Sequence, residues 1–203
     1  MAKGLLTVVS GPSGSGKGTV LGRVFEKSEG FVYSISATTR APRPGEVDGV
    51  QYHFKTKEEF ESLISEDKVV EYTTYAGNYY GTLRPVVEKD LCEGKNVILE
   101  IEVDGAMQIK KKFPDAVLVL IVPPDYATLE ARLRGRGTNT EEDILRRLER
   151  SREELKLFNN YDYLIINEDN RLDEAADKFI GIIESEKLST VHNPDFYNKF
   201  YNN

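Results

Sequence analysis

The stretch Gly11-Pro12-Ser13-Gly14-Ser15-Gly16-Lys17-Gly18-Thr19 decides the fold class through what stands on either side of it. Before it, Leu5-Leu6-Thr7-Val8-Val9 is a short run of strand-favouring residues. After it, Thr19, Val20, Leu21, Val24 and Phe25 recur at helical spacing. Strand, glycine-rich loop and helix in that order form the context in which backbone amides curl around a polyphosphate at a helix N-terminus. Glycines permit positive φ and close backbone approach, and Lys17 is placed to reach the β and γ oxygens of a nucleoside triphosphate. Gly11 through Thr19 are therefore candidate residues for binding a nucleoside triphosphate, namely Gly11, Pro12, Ser13, Gly14, Ser15, Gly16, Lys17, Gly18 and Thr19. The common form of this loop has Ser or Thr directly after the lysine. Here Gly18 intervenes, so Thr19 becomes the candidate magnesium ligand and Gly18 an amide donor to phosphate.

Outward from the loop, Asn96–Ile101 and Ala116–Val122 read as buried strands, Tyr163–Ile166 as a last one, and helical patterns alternate with them. That alternation predicts an α/β fold with a P-loop parallel sheet flanked by helices. Residues 32–90 change texture, with many Tyr, Thr, Gly and Pro residues around one helix whose capping box is Thr56 with Glu59. They read as a small, mostly β insertion. A helix is expected over Thr82–Cys92, and Leu172–Leu188 forms the last one. Asp125 caps a helix to about Arg134, Gly135-Arg136-Gly137 breaks it, and Thr140 with Asp143 starts another carrying Ile144, Leu145, Leu148, Leu155 and Phe158 inward. Two helices joined by a glycine-flanked arginine read as a hinged lid over 125–159, leaving 1–31, 91–124 and 160–203 as the core.

The 203 residues suffice for one hydrophobic core with inserted segments. A formal net charge of -7 disfavours nucleic acid and anionic membranes as partners, so a phosphate site must be a local concentration of cations and amides. The single cysteine, Cys92, excludes an intrachain disulfide. No signal peptide or membrane span is recognisable, which makes a cytoplasmic location the expectation. His53 and His192 have no partner nameable from sequence and read as structural. The choice between monomer and homo-oligomer stays open.

The acceptor must be sought away from the loop, because ATPases, GTPases and small-molecule kinases share it. Ser34 to Glu46 place Arg40 and Arg43 three apart in a proline-stiffened segment, suited to gripping one phosphate with planar guanidinium forks. Ser36 to Glu46, then Gly49-Val50-Gln51-Tyr52-His53-Phe54, then Gly77-Asn78-Tyr79-Tyr80-Gly81 resemble the acceptor region of the guanylate kinase family. With the phosphate loop and Gly135-Arg136-Gly137-Thr138, the resemblance runs from Gly4 to about Asn167.

That resemblance implies transfer of the γ-phosphoryl group of ATP to GMP or dGMP, with Mg²⁺. It implies Arg40, Arg43, Tyr52 and Tyr80 on the GMP phosphate, with Glu46 in the same region, and Ser36, Glu71 and Thr82 on the guanine. The chemistry suits those assignments: a carboxylate can accept from guanine N1 and N2 while a Ser36 or Thr82 hydroxyl donates to O6. Arg136 and Arg147 match positions that reach the ATP phosphates, and Asn167 matches one near the adenine. The other arginines of the seven between 132 and 152 read as solvated helix charges. Glu100-Ile101-Glu102-Val103-Asp104 closes a strand with three carboxylates, Glu100 and Glu102 sharing a direction by strand alternation. We expect Glu100 to serve the metal and Glu102 the guanine. Asp104 stands where the family commonly has Gln and reads as a solvated turn acid before Gly105. A kinase of a ribose bisphosphate would have no reason to keep Ser36, Glu71 and Thr82 together. A guanylate-kinase-like protein-binding module typically has a degraded loop, whereas Lys17 and its glycines are intact.

Overall fold

Strands that are apolar on both faces need a layer of helices on each side, and the computed structural model has that arrangement over the residues it describes, 4–135, 137 and 140–202. In chain order the elements are β1 (Leu6–Ser10), α1 (Lys17–Lys27), β2 (Phe31–Tyr33), β3 (Ala37–Thr38), β4 (His53–Phe54), α2 (Lys57–Ser65), β5 (Val69–Tyr75), β6 (Asn78–Leu83) and α3 (Arg84–Cys92). They continue with β7 (Asn96–Glu100), α4 (Val103–Lys112), β8 (Val117–Val122), α5 (Tyr126–Arg134), α6 (Glu141–Leu155), β9 (Tyr163–Ile166), α7 (Leu172–Glu186) and α8 (Phe196–Tyr201).

Five parallel strands form the central sheet in the order β2-β7-β1-β8-β9. Leu6 pairs with Val97 on one side of β1 and Thr7 with Val117 on the other. One face packs on α1 and α7 through Val20, Leu21, Val24, Ala176 and Phe179. The other packs on α3 and α4 through Val87, Leu91, Ala106 and Ile109. The carboxyl ends of β1 and β7 therefore open toward the same edge, where α1 begins and a ligand crevice is expected in such sheets.

A second sheet, β4-β3-β6-β5, stands apart, with Phe60 of α2 beneath it beside Ala37 and Val69. The capping box of α2 is formed: Glu59 N–H donates to Thr56 Oγ1 and Thr56 N–H to Glu59 Oε2. Helices α5 and α6 share a small core of Leu129, Leu133, Ile144 and Leu148, and their N-caps are Asp125 and Thr140.

Several expectations need correction. The helix expected from Thr82 begins at Arg84, because Thr82 and Leu83 extend β6 in pairing with β5. Leu145 and Phe158 do not point inward, being 55% and 51% exposed; the buried stripe of α6 follows Ile144, Leu148 and Ser151 instead. The helix expected over Leu172–Leu188 is not the last, because the short helix α8 follows it with its aromatic residues exposed. Strand alternation ends at Glu100, and Glu102 becomes the N-cap of α4. Asp104 is consequently a first-turn helix residue rather than a turn acid. Val32 and Tyr33 lie in the parallel sheet, just past the residue-32 start of the insertion read from sequence.

Candidate functional site

The phosphate loop is held from several sides. Ser15 N–H donates back to Pro12 O at 3.0 Å, and Gly16 serves as N-cap of α1 at φ 86°. A side chain on Gly16 would meet Asn167 Nδ2 at 2.4 Å, so glycine is needed for space as well as for dihedral freedom. Asn167, 7% exposed, donates from Nδ2 to Ser15 O at 2.9 Å. Its amide thus holds the loop. Lys17 Nζ donates to Gly11 O and Pro12 O at 2.6 and 3.2 Å, arched over the loop it would share with a polyphosphate. The buried hydroxyl of Ser15 has no partner among the described residues.

Helices α5 and α6 bring cations to the same loop. Arg147 Nη1 donates to Ser13 Oγ at 2.7 Å, while its buried Nε has no partner among the described residues. Arg132 donates to Ser15 O at 3.3 Å and Asn167 O at 2.8 Å, and pairs with Asp169. The reading of Arg132 as a solvated charge therefore fails. The available signal was its i, i+3 relation to buried Leu129, which turns both toward the loop. Arg136 and Thr138 lie outside the described residues.

On the acceptor side, Ser36, Tyr52, Glu71, Tyr80, Glu100 and Glu102 line one cavity of about 420 Å³. Glu71, 5% exposed, accepts from the Thr82 hydroxyl at 2.6 Å, the two residues facing each other across β5 and β6. Burial pushes the Glu71 carboxyl above its ordinary range, opposed by the Thr82 hydrogen bond. With its proton committed to Glu71, the Thr82 hydroxyl orients the carboxyl group, and Ser36 lines the same cavity.

Arg40 turns its fork to Glu46, with Nη1 and Nη2 3.0 and 2.9 Å from the two carboxylate oxygens. Glu46 also accepts from the Arg43 backbone N–H at 2.7 Å, so it holds the Arg40 fork and anchors the chain at Arg43. The hydrogen bond from Arg40 holds the Glu46 carboxyl below its ordinary range. The Arg40 guanidinium stands 5.4 Å from the centre of the Tyr52 ring, and Tyr52 meets Tyr80 edge-on at 6.0 Å. Arg43 is exposed.

Glu100 connects the two halves. It lines the acceptor cavity, and its carboxylate oxygens lie 3.7 and 3.8 Å from where a Gly18 side chain would begin, beside the first turn of α1 that carries exposed Thr19. Burial raises the Glu100 carboxyl while the charge of Lys17 opposes the shift. Among the described residues no cluster of three or more His, Cys, Asp or Glu could hold a metal ion by itself. One hydroxyl and one carboxylate fit a magnesium ion that takes its other oxygens from phosphates and water. Glu102 pairs with Arg150 of α6 at 2.6 Å, and Arg150 lines the same cavity, a position that the run of helix charges concealed. No helix among the described residues is long and apolar enough to cross a membrane.

Residues 3–186 match the family model described as guanylate kinase. Among similar proteins, the guanylate kinase of Lactococcus lactis subsp. lactis (strain IL1403) is 51% identical over 184 residues, covering 91% of this chain and 89% of its own. That of Streptococcus thermophilus (strain CNRZ 1066) is 54% identical over 185 residues, covering 91% and 88%. The crystal structure of guanylate kinase from Anaplasma phagocytophilum superposes with a TM-score of 0.70 at 30% identity, covering 94% of this chain and 90% of that one.

Proposed function

The chain belongs to the guanylate kinase family and is an ATP:GMP phosphotransferase, and we propose that the reaction runs in the cleft joining the phosphate loop to the buried Glu71–Thr82 pair. The observation that carries this assignment is the position of Glu100, which borders the acceptor cavity and the first turn of α1 at once. A donor on the loop and an acceptor against Glu71 would meet there.

In this reading the amides of residues 11–19 and Lys17 hold the ATP phosphates, and Arg147 and Arg136 approach them from the helical segment. Arg40, Arg43, Tyr52 and Tyr80 hold the GMP phosphate, with Glu46 aligning Arg40 and anchoring the backbone at Arg43. Ionised Glu71 accepts from guanine N1 and N2 while Ser36 donates to O6. Adenine has an acceptor at N1, which would face that carboxylate unpaired, and a site of such buried hydrogen bonds discriminates strongly. Glu102 borders the base side of the cavity.

A phosphate oxygen of GMP, already anionic, attacks the γ-phosphorus while the bond to the β,γ-bridging oxygen breaks and ADP leaves. No general base is required, so alignment and charge neutralisation by Lys17 and the arginines supply the catalysis. Thr19 and Glu100 would hold Mg²⁺, whose contribution when bound is to neutralise charge on the phosphate oxygens.

The same reading assigns the segment that follows β2, up to residue 90, to GMP, 125–159 to a lid that excludes water, and the remainder to the core, in a cytoplasmic enzyme that takes dGMP as well as GMP. A coupled ADP-release assay comparing GMP, dGMP, AMP, CMP, UMP and a ribose bisphosphate tests it, run on the parent and on Glu71→Gln. Preference for guanine acceptors that collapses in the variant supports the base-reading role. Preference unchanged in the variant removes Glu71 from it.

A further inference from the structure

Helix α4 holds strand β5 along one of its faces. Gly105, Gln108 and Lys112 follow one another at i, i+3 and i+7, a spacing that puts them on one side of a helix. Each meets β5 or the residues leading into it. A side chain beginning at Gly105 would stand 3.0 Å from Glu71 Oε2 and 3.2 Å from Ile101 Cδ1, so hydrogen is what lets the carboxylate lie against the helix. Gln108 forms a reciprocal pair with the backbone of Tyr72, accepting from its N–H at Oε1 and donating from Nε2 to its carbonyl, both at 3.3 Å. Lys112 Nζ donates to Val69 O at 2.8 Å and pairs with Asp67 at 3.2 Å.

The Gln108 pair copies the hydrogen-bond pattern of a neighbouring strand. β5 is an edge strand of its sheet, so its outward N–H and carbonyl groups lack a strand partner there. The carboxamide supplies both a donor and an acceptor at the residue next to Glu71. Chain direction and height of Glu71 are thereby referred to a helix of the parallel core rather than to the small sheet alone. The ladder to β6 shifts register between Val69 and Glu71, and the bonds to α4 give the strand a second reference just beyond that point.

We propose that Gln108 is a positioning residue for guanine selection, holding Glu71 at the height where its carboxylate meets the base, with Gly105 leaving the space. The inference rests on the reading of Glu71 as the guanine acceptor. Gln108→Leu retains the packing volume and removes both bonds to Tyr72. Gln108→Glu retains the acceptor for Tyr72 N–H and loses the donor to its carbonyl.

The experiment measures kcat and KM for GMP, IMP and ATP, together with thermal unfolding, in the parent, Gln108→Leu, Gln108→Glu, Glu71→Gln and the Gln108→Leu/Glu71→Gln double variant. IMP lacks the 2-amino group, so the GMP-to-IMP ratio of kcat/KM reports on the Glu71 contact. The expected result is a KM for GMP raised about tenfold in Gln108→Leu, the consequence of two neutral hydrogen bonds lost. A smaller rise is expected in Gln108→Glu. The GMP-to-IMP ratio should fall in step, KM for ATP should stay unchanged, and adding Gln108→Leu to Glu71→Gln should have no further effect on GMP. A merely structural role would lower the unfolding temperature and leave the GMP-to-IMP ratio alone, and that result overturns the inference. So does an equal rise in KM in both backgrounds. If Glu71→Gln itself leaves GMP kinetics and the ratio unchanged, the base-reading role of Glu71 fails first and the inference with it. Should Gln108→Leu not fold, Gln108→Glu decides alone, by whether the ratio falls.

Discussion

Arg147 on α6 donates from Nη1 to the Ser13 hydroxyl at 2.7 Å, which brings a side chain of the helical segment onto the phosphate loop 134 positions earlier in the chain. Its buried Nε lacks a partner among the described residues. A buried donor left unpaired is costly, and a phosphate oxygen would satisfy it. Arg147→Gln keeps a donor near Ser13 and removes the charge. The expected outcome is a fall in kcat of about 10²-fold with little change in KM for GMP, measured by steady-state ADP release.

Glu71→Gln should separate stability from function. An acid whose native pKa lies above its unfolded value binds its proton more tightly when folded, so native stability declines as pH rises from the unfolded to the folded pKa. Burial raises the Glu71 carboxyl in this way. The amide variant is therefore expected to unfold at the same or a higher temperature near neutral pH, while kcat/KM for GMP drops about 10²–10³-fold. In the parent, GMP affinity should weaken as pH falls through the raised Glu71 pKa. The acid limb remaining in Glu71→Gln should then lack the Glu71 contribution and retain those of the GMP phosphate and the raised Glu100 carboxyl. Melting curves and pH profiles of kcat/KM check both statements.

Arg43 is exposed, and its bond to Glu46 runs through the backbone N–H, which survives truncation of the side chain. Arg43→Ala is expected to lower kcat/KM for GMP about 10²-fold through lost phosphate contact, and to change unfolding free energy by no more than about 0.5 kcal/mol. Unaltered GMP kinetics would remove it from the site.

The capping box of α2 offers the converse case. Thr56→Ala removes the acceptor for Glu59 N–H and should cost about 1 kcal/mol of stability. Because Thr56 does not line the acceptor cavity, GMP and ATP kinetics at 25 °C should match the parent. Denaturant unfolding and steady-state assays distinguish this outcome from a functional role.

What can be read along the chain is what local chemistry dictates. The apolar runs of β1, β7 and β8 are nearly all buried because a parallel sheet covered on both sides tolerates little else. Thr56, Asp125 and Thr140 cap helices through bonds to backbone groups three residues away, a range that sequence spacing captures. The glycines, lysine and hydroxyls of residues 11–19 carry their meaning in their order.

Tertiary structure decided the rest, because a side chain of one type reads the same in sequence whether it ends in water or in a cleft. Glu71 became a buried carboxylate only when the β5–β6 register put Thr82 opposite it. Arg132 and Arg150, indistinguishable from their charged neighbours in the helical run, were sorted by packing into a brace for the phosphate loop and a partner for Glu102. Gln108, an unremarked amide in sequence, pairs with Tyr72 at 36 residues' separation because α4 lies along an edge strand whose backbone groups need partners. Sequence by itself determined the phosphate loop, the sheet that carries it and, through the ordered acceptor motifs, the family. Folding determined which of many identical charges face the cleft, since hydrogen bonds depend on angles and distances of a few ångströms that only strand register and helix packing set.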